Sequence, residues 1–173
     1  GYMDKKVKLY LVEFDTPQIY CDMDGVLADF EKGVKDMIGG KFSDARWDEL
    51  PDDFFLQLEP MKDAKKLWDF IGKYTPFVLT AVPRSKRGPI AARATEDKTR
   101  FMKRWFGVSP DRMYPVMRAD KMRFAKDGRD GRPNLLIDDH IKNISQFTSA
   151  GGIGVRHTSA SNTIKQLKEI GYK

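Results

Sequence analysis

The sequence predicts an α/β fold, a mainly parallel sheet with helices on both faces, on three observations. Short apolar runs of strand length alternate with longer runs whose apolar residues recur at helical spacing; "QIYCDMD" before "VLADFEKGVKDMI" is one such pair. Glycine and proline punctuate the changes of period, as at Gly39-Gly40 and Gly107. Strand-type runs also end in polar residues: Asp22 and Asp24, Thr80, and Asp138 with Asp139. In parallel sheets ligands bind beyond the carboxyl ends of the strands, so these residues are expected to converge on one site.

Taken in order, "KVKLYLVEF" (Lys6 to Phe14) reads as a short strand broken by Asp15-Thr16-Pro17. "QIYCDMD" is a strand, followed by a helix through Leu27, Phe30, Val34, Met37 and Ile38. From Ser43 to Pro60 the chain turns acidic and aromatic, with Trp47, Phe54 and Phe55, and reads as an irregular or short-helical insertion. Ala64, Leu67, Trp68 and Ile71 mark a second helix, and "PFVLT" a buried strand. A basic loop, "VPRSKRGPIAARA", precedes a helix in "TEDKTRFMKRWFG" with Thr95 as its N-cap and Gly107 as its stop. "DRMYPVM" reads as a strand, "ADKMRFAK" as a helical turn, "DGRDGRPN" as a surface loop and "LLIDDH" as a buried strand. "IKNISQFTSAG", "GIGV" and "SASNTIKQLKEIGYK" close the chain as helix, strand and helix.

With 173 residues and 40% hydrophobic content, one domain over 1–173 is expected, carrying a small inserted cap near 31–60. Aromatic residues at 12% and discrete apolar runs exclude a disordered chain. There is no apolar run of about 18 residues and no secretory signal pattern, so a soluble cytoplasmic protein without membrane partners is expected. The single cysteine, Cys21, excludes an internal disulfide and a cysteine-based zinc cluster; inside a strand it reads as a small buried hydrophobe. An excess of 31 basic over 25 acidic residues, net +6, suits anionic ligands such as phosphates or nucleic acid.

Asp22 and Asp24 stand two residues apart on extended chain, which turns both carboxylates to one side. A second acidic pair, Asp138 and Asp139, follows the apolar "NLLI". Such a dense anionic pocket calls for a hard cation with oxygen ligands, and magnesium fits best. A cation there offsets the repulsion between a carboxylate nucleophile and an anionic phosphoryl group. One carboxylate then attacks phosphorus, and the other protonates the leaving oxygen and later activates water. Gly25 permits the sharp turn that follows.

"DMDGVLAD", "VLT", a downstream lysine and "LLIDD" together resemble the motifs of the haloacid dehalogenase (HAD) superfamily of phosphohydrolases. "CDMDGVLADFE", "FFLQLEPM", "ADK" and "LLIDDH" extend the resemblance to the 5'(3')-deoxyribonucleotidase family, from about Tyr20 to about Asn143. The resemblance implies a Rossmann-like, HAD-like domain that uses Mg2+ to hydrolyse a small phosphomonoester, a nucleoside monophosphate being the first choice. It makes Asp22 the nucleophile and a metal ligand, and Asp24 the acid/base, with its backbone carbonyl on the metal. Asp139 becomes the remaining protein metal ligand, with Asp138 ordering the site beside it. Thr80 would bond the phosphoryl group, Lys121 would neutralise nucleophile and phosphate, and Lys98 would be a second phosphate-facing lysine. Spacing alone reads Lys98 as a solvated helix face. Phe30, and more weakly Trp47 with Phe54 or Phe55, would enclose the base.

Two departures stand out. Ala81 follows Thr80 where these nucleotidases tend to carry a hydroxyl, which removes one phosphate hydrogen bond. The next segment brings Arg84, Lys86, Arg87 and Arg93, either as a solvated basic loop or as a site for further phosphates, as on a nucleic-acid end or a polyphosphorylated nucleotide. Competing readings are therefore a polynucleotide end phosphatase and, from another class, a non-catalytic phosphate- or nucleotide-binding module. His140 and His157 lack zinc spacing, and surface roles are expected for both.

Overall fold

Five parallel strands form one sheet in the order β3-β2-β1-β4-β5 in the computed structural model, which describes residues 15–173. The strand expected at Lys6 to Phe14 lies outside the described residues. The strands are β1 (Ile19–Cys21), β2 (Phe77–Ala81), β3 (Met113–Val116), β4 (Leu135–Asp138) and β5 (Ile153–Arg156). The helices are α1 (Phe30–Ile38), α2 (Phe54–Gln57), α3 (Ala64–Ile71), α4 (Pro89–Phe106), α5 (Ile141–Ser149) and α6 (Ala160–Ile170). This is the α/β, Rossmann-like architecture expected from the alternation of periods.

Strands β1 and β4 are buried throughout, which is why they read as continuous apolar runs rather than alternating ones. Pro115 is tolerated because β3 is an edge strand, where a missing N–H costs no second ladder bond. Ile19, Leu135, Ile137, Val78, Leu67 and Phe101 are among the fully buried residues of the main core. Each such side chain contributes about 1.5–3 kcal/mol relative to exposure.

The chain steps outward from β1 through β2 to β3, then returns to lay β4 on the other side of β1, with Cys21 opposite Ile137. The carboxyl ends of β1 and β4 thus flank the switch point, where a crevice opens. The Asp22 N–H donates to the Ile137 carbonyl at 2.8 Å, which carries this pairing one residue past β1.

Two helix starts differ from the sequence expectation. Leu27 and Ala28 belong to a turn after β1, both N–H groups bonding the Met23 carbonyl, and α1 begins at Phe30. The Asp29 carboxylate caps it by accepting from the Lys32 N–H at 3.1 Å. Helix α4 begins at Pro89 and not near Thr95. Pro89 read as loop punctuation, but proline at the first helical position lacks only an N–H that is unbonded there anyway, and the alanines behind it propagate the helix.

Between α1 and α3 the chain forms a 3-10 turn (Asp44–Glu49) and the one-turn α2. Gly33 allows this segment to lie on α1: a Cβ there would fall 2.4 Å from Leu58 Cδ2. Among the described residues, no helix is long and apolar enough to cross a membrane.

Candidate active site

Four carboxylates gather at the crevice, and two buried lysines divide them. Lys121, in the 3-10 turn Arg118–Phe124 after β3, is 2% exposed and bridges Asp22 Oδ1 at 2.8 Å and Asp138 Oδ2 at 2.9 Å. Lys98, on α4, is fully buried and donates to Asp24 Oδ2 at 2.9 Å, Thr80 Oγ1 at 2.8 Å and the Ala81 carbonyl at 2.6 Å. An ammonium has three N–H donors, so these acceptors saturate it. The Phe55 ring lies 4.4 Å from Lys98 Nζ and covers the charge with its π face.

Asp138 is fully buried and richly bonded. Besides Lys121, its Oδ2 accepts from Asn143 Nδ2 at 3.1 Å, and its Oδ1 accepts from the His140 N–H at 2.9 Å. Asp139 is exposed on the cavity wall, and Asp22, Asp138 and Asp139 each bring an oxygen within 4.8 Å of the others. Gly25, at φ +82°, makes room for this: a Cβ there would sit 2.1 Å from Asp139 Oδ2. Asp24 Oδ1 is buried with no hydrogen-bond partner.

The electrostatics are those of an under-neutralised acidic cluster. Burial pushes the Asp22 carboxyl well above the usual aspartate range, the Asp138 charge adds to this, and Lys121 only partly offsets it. Asp139 is raised for similar reasons, desolvation first and Asp138 second. Burial works against the Lys121 ammonium, but Asp22 and Asp138 outweigh it and hold Lys121 above the ordinary lysine value. Three carboxylate oxygens this close together could hold a metal ion.

These groups open on a cavity of about 730 Å3. One side carries Phe30, Trp47 and Phe55 together with Asp29, Glu31 and Asp44; Arg84, Lys86 and Arg87 line it from the loop after β2. The aromatic side is a packed cluster: Phe42 bridges Phe30 (ring centroids 5.1 Å apart) and Trp47 (4.8 Å) with edge-to-face contacts.

Of the residues singled out in the sequence, Asp22, Asp24, Asp139, Lys121, Phe30 and Trp47 line this cavity. Thr80 and Lys98 lie behind the wall, fully buried, which corrects the reading of Lys98 as a solvated helix face. Phe54 and Phe55 both pack in the core, and Phe55 also borders the cavity. Arg93 stands apart from the basic loop on α4, paired with buried Asp97 at 3.2 Å. Cys21 is buried, as expected. His157 is buried rather than on the surface, its Nδ1 2.7 Å from Thr163 Oγ1, because β5 ends under α6. His140 is exposed at the cavity.

Two residues escaped the sequence reading. Asn143 holds Asp138, and its Oδ1 together with Gln146 Oε1 accepts from Arg118 Nη1, both at 3.1 Å. A polar residue in the first turn of a helix that starts beyond a strand-end acidic pair was the available signal for Asn143. Arg118 offered none, because its partners lie on a distant element.

No family model matches the chain. A protein of Vibrio phage KVP40 named "Putative 5'(3')-deoxyribonucleotidase" is 28% identical over 132 residues, covering 75% of this chain and 69% of that one. The crystal structure of a hydrolase from Pseudomonas syringae aligns over 91% of each chain with 16% identity and a TM-score of 0.42. The resemblance to 5'(3')-deoxyribonucleotidases carried by the acidic motifs therefore extends, in the phage protein, to a relative matched over three quarters of the chain.

Proposed function

We propose that this protein is a magnesium-dependent phosphomonoesterase that hydrolyses nucleoside monophosphates through a phospho-Asp22 intermediate. The observation that carries the proposal is the division of the two β1-end carboxylates between separate lysines, Lys121 on Asp22 and Lys98 on Asp24. Two carboxylates in different environments take different roles in one reaction.

Asp22 and Asp139, with the Asp24 backbone carbonyl, would hold the metal, and Asp138 would order them through its bonds to Lys121, Asn143 and the His140 N–H. When bound, the metal supplies positive charge against the phosphoryl oxygens and the crowded carboxylates. Lys121 holds Asp22 Oδ1 and presents its carboxylate to the cavity. An Asp22 oxygen attacks phosphorus, the bond from phosphorus to the ester oxygen breaks, and Asp24 gives its proton to the departing alkoxide. Asp24 then takes a proton from water as that water attacks the acyl phosphate, which frees Asp22 and inorganic phosphate. Lys98, with no free donor, keeps the Asp24 carboxyl in place.

Phe30 and Trp47 support the nucleotide part of the reading, since a base offers the flat apolar face that such a wall stacks against. The segment carrying Trp47 and Phe55 would act as the small cap. Phosphate release from thymidine monophosphate and p-nitrophenyl phosphate, with and without magnesium, tests the proposal. Release that needs magnesium and disappears in Asp22→Asn is expected; the same rate in both proteins would overturn it.

A further inference from the structure

The loop after β2 carries more positive charge than the reaction centre uses. Arg84, Lys86 and Arg87 fall within four residues, in and around the 3-10 turn Ser85–Arg87, and all three line the cavity that holds Asp22 and Asp24. Among the described residues, no carboxylate pairs with any of them. Cations without an acidic partner among the described residues also occur elsewhere, as at Lys35, Lys62 and Lys103, so what marks the loop is that three of them stand together on the cavity wall. Three like charges kept together on a cavity wall repel one another unless an anion joins them.

The charges are also divided by chain segment. The aromatic wall carries Asp29, Glu31 and Asp44, which repel an anion, whereas the basic loop attracts one. Lys121 and Lys98 are spent on Asp22, Asp138 and Asp24, and Arg118 is held by the side-chain amides of Asn143 and Gln146, so the three loop residues are the cavity's cations without a side-chain partner among the described residues. Arg84 follows Ala81 by three residues, at most about 10 Å of extended chain. That is comparable with the length of one nucleotide. A substrate with its base on the aromatic wall and one phosphate at Asp22 therefore directs a second phosphate to this loop.

We propose, resting on the nucleotidase reading above, that Arg84, Lys86 and Arg87 bind a second phosphate, so that the preferred substrate bears two phosphates around one nucleoside. A nucleoside 3',5'-bisphosphate and the terminal nucleotide of a phosphorylated strand share this chemistry. Arginine grips phosphate with paired hydrogen bonds, and neutralised phosphates make affinity fall with salt.

The test compares kcat/KM for thymidine 5'-monophosphate, thymidine 3',5'-bisphosphate and a 5'-phosphorylated thymidine dinucleotide, in the wild type and in Arg84→Ala/Lys86→Ala/Arg87→Ala. The expected result is a preference of about tenfold or more for at least one substrate bearing two phosphates at low salt, falling to about one in the triple variant. Preference for the dinucleotide alone assigns the second phosphate to a strand; preference for the bisphosphate assigns it to a mononucleotide. Equal kcat/KM for all three substrates, or a preference unchanged by the triple substitution, overturns the proposal. Calorimetric binding of the same compounds to Asp22→Asn, with magnesium present, reads the subsite without turnover. A protein that hydrolyses nothing but still binds the bisphosphate about tenfold tighter than the monophosphate would defeat the hydrolase reading and leave the subsite standing.

Discussion

Lys98 and Asp24, 74 positions apart in sequence, meet at 2.9 Å, and the lysine has no N–H left for a substrate. Its work is therefore on Asp24. In Lys98→Met the Asp24 carboxyl loses its anchor, and kcat/KM for a nucleotide, which reports the step in which the leaving group needs a proton, is expected to fall about 10²–10³-fold. With p-nitrophenyl phosphate, whose leaving group departs unprotonated, the fall is expected to be much smaller. Equal losses of kcat/KM on both substrates would show Lys98 acting on the phosphate instead.

Lys121 carries the opposite balance, one buried cation for two buried carboxylates. Lys121→Met leaves Asp22 and Asp138 without it and is expected to cost about 3–5 kcal/mol of stability. An aspartate whose folded pKa lies above its ordinary 3.8 withdraws stability as pH rises, and Asp22 is already raised. The loss should therefore be smallest near pH 4 and grow as pH rises above it, as read by urea unfolding.

Magnesium should stabilise the folded chain by about 2.7 kcal/mol at a hundredfold excess over its Kd. Asp139→Asn is expected to abolish that gain in a thermal melt. In the absence of magnesium the same substitution should raise Tm, because it removes a charge that presses on Asp22 and Asp138. A magnesium shift that survives in Asp139→Asn would place the ion elsewhere.

His157 gives the protein a separate acid response. Burial lowers its pKa below the ordinary 6.5, against a weaker pull from Asp63 in the other direction. The unfolded chain then binds a proton that the folded one refuses, so this contribution is whole above pH 6.5 and is lost as pH falls through the folded value. Stability of His157→Gln measured between pH 7 and pH 5 should fall less steeply than that of the wild type.

The sheet was legible because β1, β2 and β4 are short apolar runs ending in polar residues, and alternation with helices makes such runs parallel neighbours. That same logic brings Asp22, Asp24 and Asp139 to one crevice. The start of α4 was hidden because Gly88-Pro89 has the same appearance in a loop and at a helix start. Lys98 was misread on spacing because its burial depends on α4 lying over the end of β2 and on Phe55 closing over it, neither of which is a local property. His157 was misplaced for the same reason, since only its packing under α6 buries it. The links through Asn143 and Arg118 join residues that no sequence period connects.

The central claim is that Asp22 becomes phosphorylated, and its most direct test is peptide mass mapping of the protein acid-quenched during turnover of a nucleotide with magnesium. A phosphoryl group on the peptide carrying Asp22, absent without substrate and absent in Asp22→Asn, is the predicted result. Full turnover with no phosphoryl group on that peptide at any quench time, together with an active Asp22→Asn, would contradict the account.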